Sequence, residues 1–154
     1  MKEANQLTIY FDASCKLCDS EMQNIKSRDI EDRLTLVDCS APEFDDRPFL
    51  VEGITRELMM NCLHARNGQG EWIKGVAAFE VIYHSVGMAS IAKFWRHPLT
   101  RPLAERAYPW VVRHRYFLSR IGLHKLFNVW SRYAARQAEK RSRQCREGNC
   151  SITH

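Results

Sequence analysis

Two cysteines three residues apart, Cys15 and Cys18, are the residues of this chain best equipped for chemistry. Side chains three apart on a helix have Cβ atoms about 5–6 Å apart, and a disulfide wants about 3.5–4.5 Å. A small adjustment at a helix edge therefore lets the two sulfurs close into a disulfide and reopen. The thiolate is the attacking species in such exchange, so the surroundings of each sulfur decide its role. Lys16 lies between the thiols and adds local positive charge. Asp12, three residues before Cys15, acts the other way, because a nearby carboxylate disfavours a thiolate. Its better-motivated role is to cap the loop or to handle a proton through water.

The flanking sequence must position these groups. Leu7-Thr8-Ile9-Tyr10-Phe11 is an apolar, β-prone run of strand length. After the motif, Cys18, Met22 and Ile25 recur at spacings of four and three, which predicts a helix over residues 15–28. The thiols then sit where a strand hands over to a helix, with Cys15 at the helix N-terminus and Ser14 or Asp12 near the N-cap. Free N–H groups and the positive dipole end of a first turn favour a thiolate. This predicts an exposed, attacking Cys15 and a more buried, resolving Cys18. The same spacing also suits half of a zinc site, which needs two further ligands, or a pair of helix-packing cysteines. The strand–C-x-x-C–helix context favours redox chemistry over both.

The rest of the chain supplies further elements. Leu34-Thr35-Leu36-Val37-Asp38 predicts a second strand, parallel to the first across a right-handed helical crossover. Cys39 ends it and reads as a small buried hydrophobe. Residues 40–48 hold two prolines and predict a loop. A short helix is expected from Thr55, its N-cap, to Met59. A third strand around Cys62-Leu63-His64-Ala65 leads into Asn67-Gly68-Gln69-Gly70, a hairpin signal, and a fourth strand over residues 71–74. Gly75 opens a helix that carries Ala78, Phe79, Ile82 and Tyr83. His64 reads as a hydrogen-bonded structural group, the alternative being a proton carrier near the thiols.

Asp12-x-x-Cys15-x-x-Cys18 behind an apolar strand resembles the DCC family of thiol-disulfide oxidoreductases, named for that stretch. Leu63-His64-Ala65, Asn67 to Gly70, Trp72 and Gly75-Val76-Ala77-Ala78-Phe79 are similar to the family's strand–turn–strand–Gly–helix segment. Tyr108-Pro109-Trp110-Val111-Val112-Arg113-His114-Arg115-Tyr116 resembles its C-terminal helical segment. The resemblance covers roughly residues 5 to 120. It implies an α/β, thioredoxin-like fold, β-α-β then β-β-α around a mixed four-stranded sheet, and protein-disulfide reductase chemistry. Thioredoxin-like proteins usually place a cis-proline before the third strand. Here Leu58-Met59-Met60-Asn61-Cys62 holds none, so a trans linkage is expected, with Met59 or Met60 facing the thiols as a soft docking surface beside Lys16. Cys62 could also approach the site, but core packing is the preferred reading, as it is for Cys39 over a third redox thiol.

Composition bounds these readings. The chain has 154 residues, 45% of them hydrophobic, which suffices for a packed core. No run reaches the 18–20 apolar residues of a membrane span. Met1 to Gln6 shows no signal-peptide apolar region, so a reducing cytoplasm is the expected compartment. The organisation expected is a thioredoxin-like domain over 1–88, a helical basic extension over 89–144 packed on it, and a flexible tail over 145–154. In the extension, Ile91, Phe94 and Trp95, then Trp110, Val111, Phe117, Leu118 and Ile121, form apolar stripes that suit a cap on the sheet or a homodimer surface. Arg132, Arg136, Lys140, Arg141, Arg143 and Arg146 make a basic face, read as solvated. No nucleic-acid motif accompanies it, and the net charge is only +5. Cys145 and Cys150 are read as a frayed tail, then as a disulfide relay, then as completing a thiolate metal site. The expected partners are a disulfide-containing protein or small-thiol substrate and an upstream thiol reductant, and thiol exchange calls for no bound organic cofactor.

Overall fold

The structure, a computed structural model, describes residues 6–122 together with Lys125 and Val129. The basic stretch from Arg132 to Arg146, with Cys145 and Cys150, lies outside the described residues. The order is β1 (Leu7–Phe11), α1 (Lys16–Lys26), β2 (Leu34–Asp38), a 3-10 helix (Arg47–Glu52), α2 (Arg56–Asn61), β3 (His64–Asn67), β4 (Trp72–Lys74), α3 (Gly75–Ser85), α4 (Ala89–Arg96) and α5 (Thr100–Arg120).

The strands lie in the order β2-β1-β3-β4. β1 pairs parallel with β2, Ile9 opposite Leu36, and antiparallel with β3, Ile9 opposite Ala65. β3 pairs antiparallel with β4. This is the mixed four-stranded sheet expected of a thioredoxin-like α/β fold. Alternation along β1 builds two cores. Leu7, Ile9 and Phe11 point to one face and pack with Met22 and Ile25 of α1 and Ala78 and Ile82 of α3. Tyr10 points to the other and packs with Cys39, Ile54 and Met59.

The C-terminal end of the short α2 departs from the sequence reading by two residues. Thr55 caps it as expected, accepting from the Leu58 N–H at 3.2 Å. The helix runs on to Asn61. β3 then begins at His64 rather than Cys62, because the Leu63 N–H donates to the Tyr108 hydroxyl of α5 at 2.9 Å instead of joining the ladder. The 3-10 helix at Arg47–Glu52 is not foreseen by the loop reading; Pro48 sits in its first turn, where a missing N–H costs nothing. Pro109 lies inside α5 without ending it.

Gly75 joins β4 to α3 at φ +58°, and its N–H donates to the Leu63 carbonyl at 2.8 Å. A Cβ there would stand 3.4 Å from the Tyr108 ring. The left-handed turn calls for glycine, and the Cβ position lies in van der Waals contact with α5. Through such contacts α4 and α5 pack on α3, and α5 packs on α1. The helices after residue 88 therefore reach the end of the sheet where the two cysteines lie.

Candidate active site

β1 delivers Asp12 to the mouth of the motif. Its carboxylate is buried and accepts from the Ser14 N–H at 3.0 Å and from the Ser14 hydroxyl. This is the loop-capping role expected of it. From α5, Arg115 Nη2 donates to the same carboxylate at 2.9 Å, and the Tyr116 hydroxyl donates to it as well. Burial works against the Asp12 charge, but the bonds from Ser14 and Tyr116 and the Arg115 guanidinium outweigh it and hold the carboxyl below its ordinary range. Asp38, at the end of β2, fixes the loop from the other side by accepting from the Ala13 N–H at 3.1 Å.

Cys15, not Ser14 or Asp12, occupies the N-cap of α1, because the side chains of those two residues bind each other. Its Sγ stands 3.1 Å from Cys18 Sγ and accepts the Cys18 S–H. Both are free thiols, at more than the ~2.05 Å of a disulfide. The Cys18 thiol is the largest influence on Cys15; burial opposes it, and the N–H groups of Cys18 and Leu17 and the charge of Arg115 assist. Together they pull Cys15 down to about 6. Donation to Cys15 and burial push the Cys18 thiol up.

Accessibility runs opposite to the sequence expectation. Cys15 is sealed, at 0% exposure, whereas Cys18 is only partly buried. α5 lies across the neighbouring residues of the loop: the Tyr116 hydroxyl stands 3.3 Å from Ser14 Oγ, and the buried Arg115 donates to Asp12.

Cys18 opens instead into a cavity of about 300 Å³. Its walls are mostly apolar and come from β1, α1, α2, α3, α4 and α5, including Phe11, Met22, Phe79, Trp95 and Val112. Met59 and Met60 line it too, Met59 as a buried residue. Glu21, one turn past Cys18, adds a carboxyl that burial pushes up to about 7 against a bond from the Tyr83 hydroxyl and the charge of Arg28. Arg115 and Trp95 each bury one N–H, Nε and Nε1, that has no protein partner.

A family model for DCC1-like thiol-disulfide oxidoreductases matches residues 9–121, which span every element from β1 to α5. The chain belongs to this family. A second comparison finds a protein of Arabidopsis thaliana described as an uncharacterized chloroplastic protein, 24% identical over 111 residues. The match takes in 71% of this chain and 51% of that protein, so the chain spans about half the length of the relative. No solved structure matches.

For a DCC1-like chain, the sequence reading placed Asp12, Cys15 and Cys18 in one site, and the structure brings them together. Lys16 is exposed and Met60 partly so, on the rim of the same end of the molecule. His64 is a structural group: its Nδ1 lies 2.7 Å from the Cys62 carbonyl, so that nitrogen donates, and burial lowers its affinity for a second proton. Cys39 is a core residue, pushed up to about 12 by burial and bonded to Met59 Sδ at 3.7 Å. Among the described residues no group of three His, Cys, Asp or Glu side chains is arranged to hold a metal ion, and no helix is long and apolar enough to cross a membrane. Sequence reasoning missed Arg115, Tyr116, Glu21 and Tyr108 as parts of the site. The helical segment from Tyr108 to Tyr116 was visible as a match to the family, but its partner on β1 lies over a hundred residues away.

Proposed function

We propose that this protein exchanges dithiol for disulfide at Cys15 and Cys18, with Asp12 as a positioning residue. The observation that carries the reading is one thiol donating to the other across 3.1 Å at a helix N-terminus, with Arg115 nearby. That arrangement holds one sulfur as a thiolate at neutral pH and keeps its partner close enough to bond. Exchange proceeds through a mixed disulfide between one of these sulfurs and a sulfur of the substrate, and the second sulfur releases it. The substrate is a disulfide or thiol, on a protein or a small molecule. In the reductase direction, an upstream thiol reductant restores the pair. Met59, Met60 and Lys16 border the approach and supply its docking surface.

Equilibration of the full chain in glutathione buffers of graded poise tests this. Mass analysis should show one two-electron transition that vanishes in both Cys15→Ser and Cys18→Ser. A pair that stays reduced, or oxidised, at every poise sinks the reading, as does full exchange activity in Cys15→Ser.

A further inference from the structure

We propose that Cys18, rather than Cys15, is the sulfur that meets the substrate, and that the oxidised pair gives its disulfide to thiols borne on an uncharged apolar body. The inference rests on the exchange reading above and assigns its geometry, direction and substrate class. It reverses the reductase direction that the family resemblance implies.

The argument starts from access. Cys15 is fully buried, while Cys18 forms part of the cavity wall. An incoming sulfur arriving through the cavity touches Cys18 first. In the reduced protein this is a poor arrangement for attack on a disulfide: the reachable sulfur holds its proton, and the charged one is covered. In the oxidised protein it is a good one. The reachable sulfur needs only to be an electrophile, and the buried sulfur leaves into a place already furnished with donors.

The step balances as follows. A substrate thiol gives its proton to solvent, or to the Glu21 carboxylate that lines the same cavity. The resulting thiolate attacks Cys18 Sγ. A substrate–Cys18 bond forms, the Cys15–Cys18 bond breaks, and its electron pair leaves on Cys15 as a thiolate. That thiolate is received by the N–H groups of Leu17 and Cys18 and by the charge of Arg115. Lower pKa makes a better leaving thiol. A second substrate thiolate then attacks the substrate sulfur, and Cys18 leaves and takes a proton. Two thiols become one disulfide, and the protein gains two electrons. A small disulfide of the glutathione type regenerates the pair.

The cavity sets the substrate class. Phe11, Met22, Phe79 and Val112 face an uncharged group, and about 300 Å³ is twice the void that admits a benzene ring. A charged, strongly hydrated thiol loses solvation against these walls, and the Arg115 guanidinium, the one cation among the lining residues, is already paired with Asp12.

The test uses the full chain oxidised at Cys15–Cys18. Benzyl mercaptan is added, the reaction is quenched in acid, and peptide mass mapping locates the benzylthio group. It is expected on Cys18. A group found on Cys15 overturns the inference and leaves the exchange reading standing; a pair that stays oxidised, with a group on neither sulfur, overturns both. Should the intermediate resolve too fast to trap, reduced Cys15→Ser and Cys18→Ser are each treated with dibenzyl disulfide, and capture must be faster in Cys15→Ser. At matched thiolate concentration, benzyl mercaptan and a Leu-Cys-Leu peptide should each reduce the wild-type pair at least tenfold faster than glutathione does. Whichever of the two is faster identifies a small-molecule or a protein source, and rates equal to glutathione's overturn the substrate class.

Discussion

Cys15 and Glu21 titrate on the same helix but move stability in opposite directions. Cys15 is pulled from its ordinary 9.0 down to about 6, so between those values the unfolded chain binds more protons than the folded one. Its contribution is fully present above pH 9 and is lost as pH falls through about 6. In the disulfide form neither Cys15 nor Cys18 has a thiol to titrate, and the other cysteines are common to both forms. The melting temperature of the reduced protein, measured relative to that of the oxidised protein, should therefore climb from pH 6 to pH 9; a flat difference contradicts the stabilised thiolate. Glu21 is raised from 4.5 to about 7, so the folded chain keeps a proton that the unfolded chain gives up. Its contribution is present below pH 4.5 and is lost as pH rises through about 7. Glu21→Gln keeps the volume and an acceptor for Tyr83 but cannot ionise. At pH 8 it should melt roughly 2–8 °C above wild type, taking about 1–2 kcal/mol at 2–4 °C each. At pH 5 the two should nearly coincide. Cys15, Cys18 and Asp12 were legible in the sequence because the chemistry of a C-x-x-C is local. Glu21 was not, because its shift comes from the burial that α3 and α5 impose.

Among the elements, the strands were the most legible: β1 and β2 lie where their apolar runs predict them, to the residue. Each is a β-prone run that pairs with the other along its whole length, Leu7 to Phe11 opposite Leu34 to Asp38. β3 was misplaced by two residues because a distant element decides where it starts. Tyr108 of α5 takes the Leu63 N–H, and Leu63 is only 8% exposed. Tyr108→Phe keeps the ring against Gly75 and removes only the acceptor. The buried N–H then has no partner, which costs about 1–3 kcal/mol. Denaturant unfolding should show that loss as a lower midpoint at an unchanged slope. Native amide exchange should also show the Leu63 N–H losing protection beyond what the global loss explains. Retained protection at Leu63 contradicts the role given to this bond.

At the scale of the whole molecule, one ion pair ties the first strand to the last described helix. Arg115 and Asp12 are 103 positions apart, and their side chains are 9% and 1% exposed. No local pattern announces such a pair: Arg115 stands on the same helix as Arg106, Arg113 and Arg120, which are exposed, and only the fold picks it out. Were the helices after residue 88 a loose appendage, this bridge would behave like a surface one and contribute about 0–1 kcal/mol. A buried pair broken on one side leaves an uncompensated charge and costs about 3–5 kcal/mol. Arg115→Met should fall in the second range, because it strands the Asp12 carboxylate. Adding Asp12→Asn should return much of the loss, since a neutral amide can accept from Ser14 through its oxygen and donate to the Tyr116 hydroxyl through its nitrogen. The same two variants separate packing from electrostatics at the thiols. Arg115→Met removes a charge that favours the Cys15 thiolate, so thiolate absorbance should titrate at higher pH in the single variant and stay higher in the double one. Recovery of stability without recovery of the thiolate identifies α5 as both the clamp on the fold and a source of the field at Cys15; recovery of both together traces the thiolate to the net charge of the Asp12–Arg115 pair.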